Sequence, residues 1–255
     1  MEIKELISSL PSSIVKGDAV ALPDSVIRKI FRFARLKKSD VFYHLGCGEG
    51  NAVAIAAKEF GVKRSIGIDV NESVVQTARQ MLAGIKNAEI INADIRNSNI
   101  SDATAVFFWF NDPETVDAMT KKFKKELKDG TRVVTIWAPL SMMLPDKVDF
   151  PFIMCKKPFK PARSIRQQIN AIYHTDCIDF TAAWLLAERY LDALEVVPSN
   201  YRRFVNMLQG MVIWINAWNM RVACEAEIPP PVQTYIGILR EFFNIDLGEM
   251  IQEQK

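Results

Sequence analysis

Residue types that build metal centres and covalent cross-links are scarce in this chain. Among 255 residues there are two histidines, His44 and His174, and four cysteines, Cys47, Cys155, Cys177 and Cys224, with no Cys-x-x-Cys pair. Metal-binding modules need such ligands at close, regular spacing, so no metal site is expected. Thiols scattered this way point to a reducing compartment, the cytoplasm. Eleven glycines and 12 prolines are too few for a fibrous or low-complexity chain. Apolar runs are short. The longest, from Met211 to Trp218, is broken by Asn216 and falls far below the ~20 residues of a membrane span. The opening Met1-Glu2-Ile3-Lys4-Glu5 lacks the basic-then-apolar layout of a secretory signal. What is there is 49% hydrophobic and 24% charged, the composition of one medium-sized domain or of a domain with a smaller appendage.

The net charge of +2 hides an asymmetry. Residues 1–175 hold 26 basic against 19 acidic side chains, a balance of +7, and residues 176–255 hold 6 against 11, a balance of −5. The local patterns change at the same place. Helical periodicity begins at Pro23-Asp24, with Val26, Ile27, Ile30, Phe31 and Ala34 on one face. Short β-rich runs near residues 40–43, 65–70, 88–93, 105–110 and 131–137 then alternate with helical patterns near 51–60, 72–82 and 113–128. Such alternation implies right-handed crossovers and an α/β fold, a Rossmann-like, doubly wound, mostly parallel seven-stranded sheet. Two further strand-like stretches, about 148–156 and 164–174, are expected to close it as a terminal hairpin. From Cys177 onward strand signals vanish, and residues 180–194, 200–224 and 232–243 read as helices. The expected division is an N-terminal segment (1–20), a catalytic domain (21–176) and an all-α extension (177–255).

The most informative stretch is Tyr43-His44-Leu45-Gly46-Cys47-Gly48-Glu49-Gly50-Asn51, between a strand and a helix. Glycines at 46, 48 and 50 let the backbone approach a ligand without Cβ clashes. The third glycine of a dinucleotide fingerprint is misplaced, and no lysine follows to make a Walker phosphate site. Asp69 ends the second strand, where a carboxylate accepts two hydrogen bonds from a ribose diol. Asp94 ends the third and is placed to accept from an adenine amino group. Ligand contacts at three successive strand ends describe a nucleoside crevice at a topological switch point. Without a pyrophosphate signature, S-adenosylmethionine is the better fit.

From Leu22 to about Asp176 the chain resembles the class I S-adenosylmethionine-dependent methyltransferases. More narrowly, it resembles the small archaeal protein lysine methyltransferases and the related telomeric-silencing histone lysine methyltransferases. The resemblance rests on Asp40-Val-Phe-Tyr-His-Leu-Gly-Cys-Gly-Glu-Gly50, on Gly67-Ile-Asp-Val70 and on Lys125-Glu-Leu-Lys-Asp-Gly-Thr-Arg-Val-Val134. It implies methionine-moiety contacts along Gly46, Cys47, Gly48 and Gly50, ribose contacts at Asp69, and adenine contacts at Asp94 and Ile95, with Val70 also among the expected cofactor-binding residues. The family usually has an acid, which helps to hold the cofactor's amino group, where this chain has His44. A neutral imidazole supplies no countercharge, and a protonated one repels. Cofactor binding is therefore expected to be weakened and to improve as pH rises from about 6 to 8. The alternative is that a backbone carbonyl merely satisfies His44.

Methyl transfer needs a neutral nucleophile held in line and a site that excludes water. The end of the fourth strand, Phe107-Phe108-Trp109-Phe110-Asn111-Asp112-Pro113-Glu114, suits this. Trp109 and Phe110, with Trp137, make an aromatic wall for a lysine stem, and Asn111 orients the amine or the cofactor carboxylate. Phe107 and Phe108 read as core. The tandem proline and stacking aromatic of base and glutamine methyltransferases are absent. Basic residues gather at Lys121, Lys122, Lys124, Lys125 and Lys128, and again at Lys156, Lys157, Lys160, Arg163 and Arg166, beside the expected substrate entrance. The expected activity is methyl transfer to protein lysine. RNA or small-molecule methylation on the same fold, or a catalytically weakened interaction protein, stand as alternatives. A protein substrate is the expected partner, with a homodimer through the helical extension and nucleic acid left open, and no membrane.

Overall fold

The computed structural model describes residues 21–252, so the expected N-terminal segment (1–20) lies outside the described residues. The chain divides into two compact units between Ser164 and Ile165. The first runs α1 (Asp24–Phe33), β1 (Val41–Leu45), α2 (Asn51–Lys58), β2 (Arg64–Asp69), α3 (Glu72–Met81), β3 (Ala88–Asn92), β4 (Ala105–Phe108), α4 (Pro113–Glu126) and β5 (Arg132–Ile136). β6 (Met143–Leu144), β7 (Lys147–Asp149), β8 (Phe152–Lys156) and β9 (Lys160–Pro161) complete it. Its seven-stranded sheet has the order β3-β2-β1-β4-β5-β8-β7. β1 to β5 are parallel, and β8 pairs antiparallel with both β5 and β7.

Burial on both faces explains the apolar strands. All four residues of β4 are buried, as a central parallel strand requires. One face carries Tyr43, Leu45, Ile66, Ile68, Val106, Phe108 and Val133, packed with Met119 and Phe123 of α4. On the other, Phe31 of α1 meets Phe42 edge-on at 5.0 Å. Helix starts are set locally. Asn71 caps α3 by accepting from the Ser73 amide (3.0 Å), and Asp112 caps α4 by accepting from the Thr115 amide (2.8 Å). Arg132 at the foot of β5 donates to Asp40 (2.6 Å) and to the Ala34 carbonyl (2.6 Å), tying α1 to the sheet.

Two expectations are corrected here. The hairpin beside β5 is β7–β8, not 148–156 with 164–174; residues 165–173 form a helix, α5 (Ile165–Tyr173), in the second unit. Its buried Ile169 and Ile172 follow Ile165 at spacings of four and seven, the helical period. The basic residue on β8 also lies away from the crevice. Lys156 is registered opposite Arg132 at the amino end of β5, while the glycine loop follows the carboxyl end of β1. Lys160 pairs with Asp146, Lys121 with Asp117 and Lys122 with Glu126, and the Lys157 ammonium donates to the Lys124 carbonyl (2.8 Å) and to that of Leu127, at the end of α4.

The second unit contains α5, α6 (Phe180–Leu194), α7 (Arg202–Asn219) and α8 (Pro230–Phe243). α6 and α7 approach closely at Gly210, where an added Cβ would sit 3.4 Å from the Trp184 backbone. Glu225 accepts from both the Trp214 indole and the Phe180 amide, each at 3.1 Å. Cys177 and Cys224 form a disulfide beside the bridge Ile178–Ala223. The expectation of dispersed free thiols therefore holds only for Cys47 and Cys155, both buried. No helix among the described residues is long and apolar enough to cross a membrane.

Candidate active site

Strand order changes direction between β1 and β4, and the loops leaving these strands open a crevice at the carboxyl edge. Gly46 and Cys47 both donate their amides to the Ile68 carbonyl, at 2.8 and 3.1 Å, which folds the loop across the end of β2. Gly46 and Gly48 hold φ of +74° and +52°, a region that side-chain-bearing residues rarely adopt. A Cβ on Gly46 would sit 2.8 Å from the Phe110 ring, whereas one on Gly48 would meet nothing within 4 Å. The loop is thus sealed by an aromatic at one point and open at the next. Gly50 caps α2 without a side chain, so the first amides of that helix receive no side-chain cap.

Asp69 Oδ2 accepts from the Gly48 amide and Oδ1 from the Asn71 amide, both at 2.9 Å. Each oxygen keeps a further lone pair, enough for a diol. Beside it Val70 is 74% exposed, a large apolar side chain left bare at the rim, which suits the face of a nucleobase. Asp94 is gripped by its own neighbour: the Arg96 guanidinium donates to both oxygens at 2.7–3.1 Å and holds the carboxyl below its usual range. Any donor brought to that carboxylate meets it already paired with Arg96, a neighbour that sequence reasoning missed although the Asp-x-Arg spacing was visible. The Ile95 side chain is buried in the core, so only its backbone is available to a ligand. Cys47 likewise turns inward: an added Cβ on Gly67 would sit 2.7 Å from its sulfur. Burial pushes its thiol up to about 12, so Cys47 packs and is no nucleophile.

His44 departs from both expectations. Its ring stacks on Phe107, centroids 4.7 Å apart, and its buried Nδ1 has no hydrogen-bond partner, so no carbonyl satisfies it there. Burial drives its pKa down to about 3, so the imidazole is neutral throughout the pH 6–8 window in which a titration was expected. The indole Nε1 of Trp109 is also buried without a partner. Orphaned buried polar atoms of this kind cost about 1–3 kcal/mol each. Phe110 stacks on Phe108 at 5.0 Å, and Asn111 is exposed at the rim. Trp137 follows β5 with φ +66° and packs edge-on against Phe150 at 5.5 Å. A bulky residue held there is strained, as residues at working sites often are.

An open glycine cradle, a carboxylate with room for a diol, a bare apolar rim residue and two orphaned polar atoms fit an adenosine carrying an amino-acid tail. Fold and crevice together define a Rossmann-like protein with an open crevice at its topological switch point. Residues 44–147 match the ANTKMT methyltransferase domain. A protein-lysine N-methyltransferase of Saccharolobus islandicus is 36% identical over 123 residues, 46% of this chain and 73% of that protein. An H3 lysine-79-specific histone-lysine N-methyltransferase of Dictyostelium discoideum is 27% identical over 180 residues, 61% of this chain but a tenth of its own length. A solved RNA methyltransferase of Salinibacter ruber, with S-adenosyl-L-homocysteine, overlays at TM-score 0.49 and 27% identity, over 57% of this chain and 96% of that one. The chain belongs to the class I S-adenosylmethionine-dependent methyltransferases, and S-adenosylmethionine is its cofactor.

Proposed function

We propose that this enzyme methylates lysine side chains of proteins. The observation that carries the reading is the 36% identity to a protein-lysine N-methyltransferase across 73% of that relative. The cofactor supplies an electrophilic methyl group on a sulfonium sulfur; the chain must bring it a neutral amine and keep water out. Gly46, Gly48, Gly50, Asp69 and Val70 would hold the nucleoside, with Asp94 shared between adenine and Arg96. Phe110, lying on Gly46, and Trp137, held at the end of β5, supply flat apolar walls for an aliphatic stem. Aromatic faces hold a methylated ammonium by cation–π attraction, about 0.5–2 kcal/mol. Asn111 at the rim has an amide oxygen to accept from the attacking amine, orienting its lone pair. The amine loses its proton to water before transfer.

The test is mass spectrometry of protein extract, and of the enzyme itself, after incubation with labelled cofactor. Label on lysine nitrogen is expected. Label confined to RNA or to a small carboxylic acid would overturn the lysine reading and leave the methyltransferase intact. In the same assay Asn111→Ala should lower turnover about tenfold at unchanged cofactor affinity, the cost of one orienting hydrogen bond. Unchanged turnover removes Asn111 from the reaction.

A further inference from the structure

Cations of the first unit gather where β1, β2 and β3 begin, at the edge of the sheet opposite the glycine loop. Lys63 and Lys86 each stand two residues before a registered pair, Ser65 of β2 and Ala88 of β3. The Ser65 amide donates to the Asn87 carbonyl (2.8 Å), so the two lysines stand side by side at the foot of adjoining strands. Lys38 joins them. A Cβ added to Gly61 would sit 4.0 Å from its Cγ, which lays the Lys38 stem over the turn leading into Lys63. A cavity of about 270 Å³ opens beside them, its lining including Arg64, Lys86, Asn87 and Glu89. Arg64 is committed to Asp102 (2.8 Å) and reaches Glu89 (3.5 Å). Further along the same edge Lys128 precedes β5, and Lys156 is registered with Arg132, its first residue. Lys38, Lys63, Lys86, Lys128 and Lys156 are exposed, and none pairs with a carboxylate among the described residues. Asp129, beside Lys128, is exposed as well, whereas Asp40 is held by Arg132 and Glu59 by Arg28.

We propose that this amino edge of the sheet docks the phosphate backbone of a nucleic-acid duplex, each lysine neutralising one phosphate. From β3 to β8 the row crosses five strand spacings, about 24 Å. One strand of a duplex carries a phosphate every 3.4 Å or so, roughly seven over that length. Protein interfaces are instead built around apolar and aromatic anchors and are poor in lysine. The exposed large apolar side chains of this unit, Val70, Met81 and Met142, include no aromatic. A row of ammonium groups meets backbone rather than base edges, so binding is indifferent to sequence. The inference uses no residue of the crevice and is independent of which acceptor is methylated.

Fluorescence anisotropy of the full chain with a labelled DNA duplex of about 20 base pairs tests it. Five lysine contacts predict that the logarithm of the binding constant falls with the logarithm of salt at a slope of about −4. That readout needs no variant, and a slope flatter than about −2 overturns the proposal. Lys63→Glu should weaken binding about tenfold and flatten the slope by about one. Lys121→Glu, an equal change of net charge in the middle of α4, should weaken it less than about twofold. Equal losses from the two reversals would mean that net charge alone acts, and would overturn the docking face. Absence of binding at about 0.05 M salt and about 0.1 mM protein would do the same. Poly-L-glutamate that competes as well as the duplex, charge for charge, would make the partner an acidic protein and overturn the assignment.

Discussion

At the scale of single residues, burial decides what the crevice can do. The same imidazole that would titrate near 6.5 in water is pushed down to about 3 at position 44 by the burial of its ring against Phe107. The sign of the stability effect follows. The native state refuses a proton that the unfolded chain accepts, so stability falls as pH drops below about 6.5. His44→Asn should flatten that part of the curve, read as the denaturant midpoint at pH 7 against pH 5. Over the same range cofactor affinity should be level from pH 6 to 8, since His44 does not change charge there; a rise across that window would contradict the buried, neutral ring. The glycines, Asp69 and the aromatic run after β4 were legible as a candidate site because the chemistry proposed for them is carried by residue type and spacing. The state of His44 was not, because nothing within the chain's local pattern says that Phe107 lies against its ring.

At the scale of elements, the parallel strands announced themselves. β4 is a continuous apolar run and β5 is buried from Val133 to Ile136 because both faces are covered, and the turns after β1 and β2 carry glycine or a capping residue at the required position. The errors arose where a short segment admits two periods. Ile165, Ile169 and Ile172 read as strand-like in a chain already rich in strands, yet their spacing is helical and their burial follows it. The pairing of Cys177 with Cys224 had no sequence signal at all: 47 residues separate them, and only the bridge at Ile178–Ala223 brings their backbones together. Closing a loop of that length removes denatured-state entropy worth about 4 kcal/mol in the chain-entropy account. Replacing both cysteines by serine, or adding reductant, should therefore lower the unfolding midpoint of the helical unit; on the proposed site, whose residues all belong to the other unit, cofactor affinity should stay constant. A midpoint that does not move would show that the helices hold one another without the link.

At the scale of the whole molecule, the +7 balance of residues 1–175 is unevenly spread over the sheet. Lys128 precedes β5 and Lys156 is registered beside its first residue, so basic side chains mark the amino end. The loops at the carboxyl end carry Glu49, Asp69, Asp94, Asp112 and Glu114, against which Arg96 is set close enough to feel Asp94, Glu114 and Asp112. An acceptor approaching the crevice thus meets a rim of carboxylates, a field that draws cationic segments and turns away polyanions. On the proposed lysine activity this polarity favours a cationic acceptor segment, and salt tests it. Raising ionic strength from about 0.05 to about 0.5 M shrinks the screening length from roughly 14 to roughly 4 Å. KM for a basic peptide should then rise about tenfold with kcat unchanged, because steering acts on encounter and not on transfer. Reversing Asp112 and Glu114 to lysine should abolish the salt effect at constant cofactor affinity. A KM indifferent to salt in the wild type would mean that the acceptor is held by the aromatic walls alone.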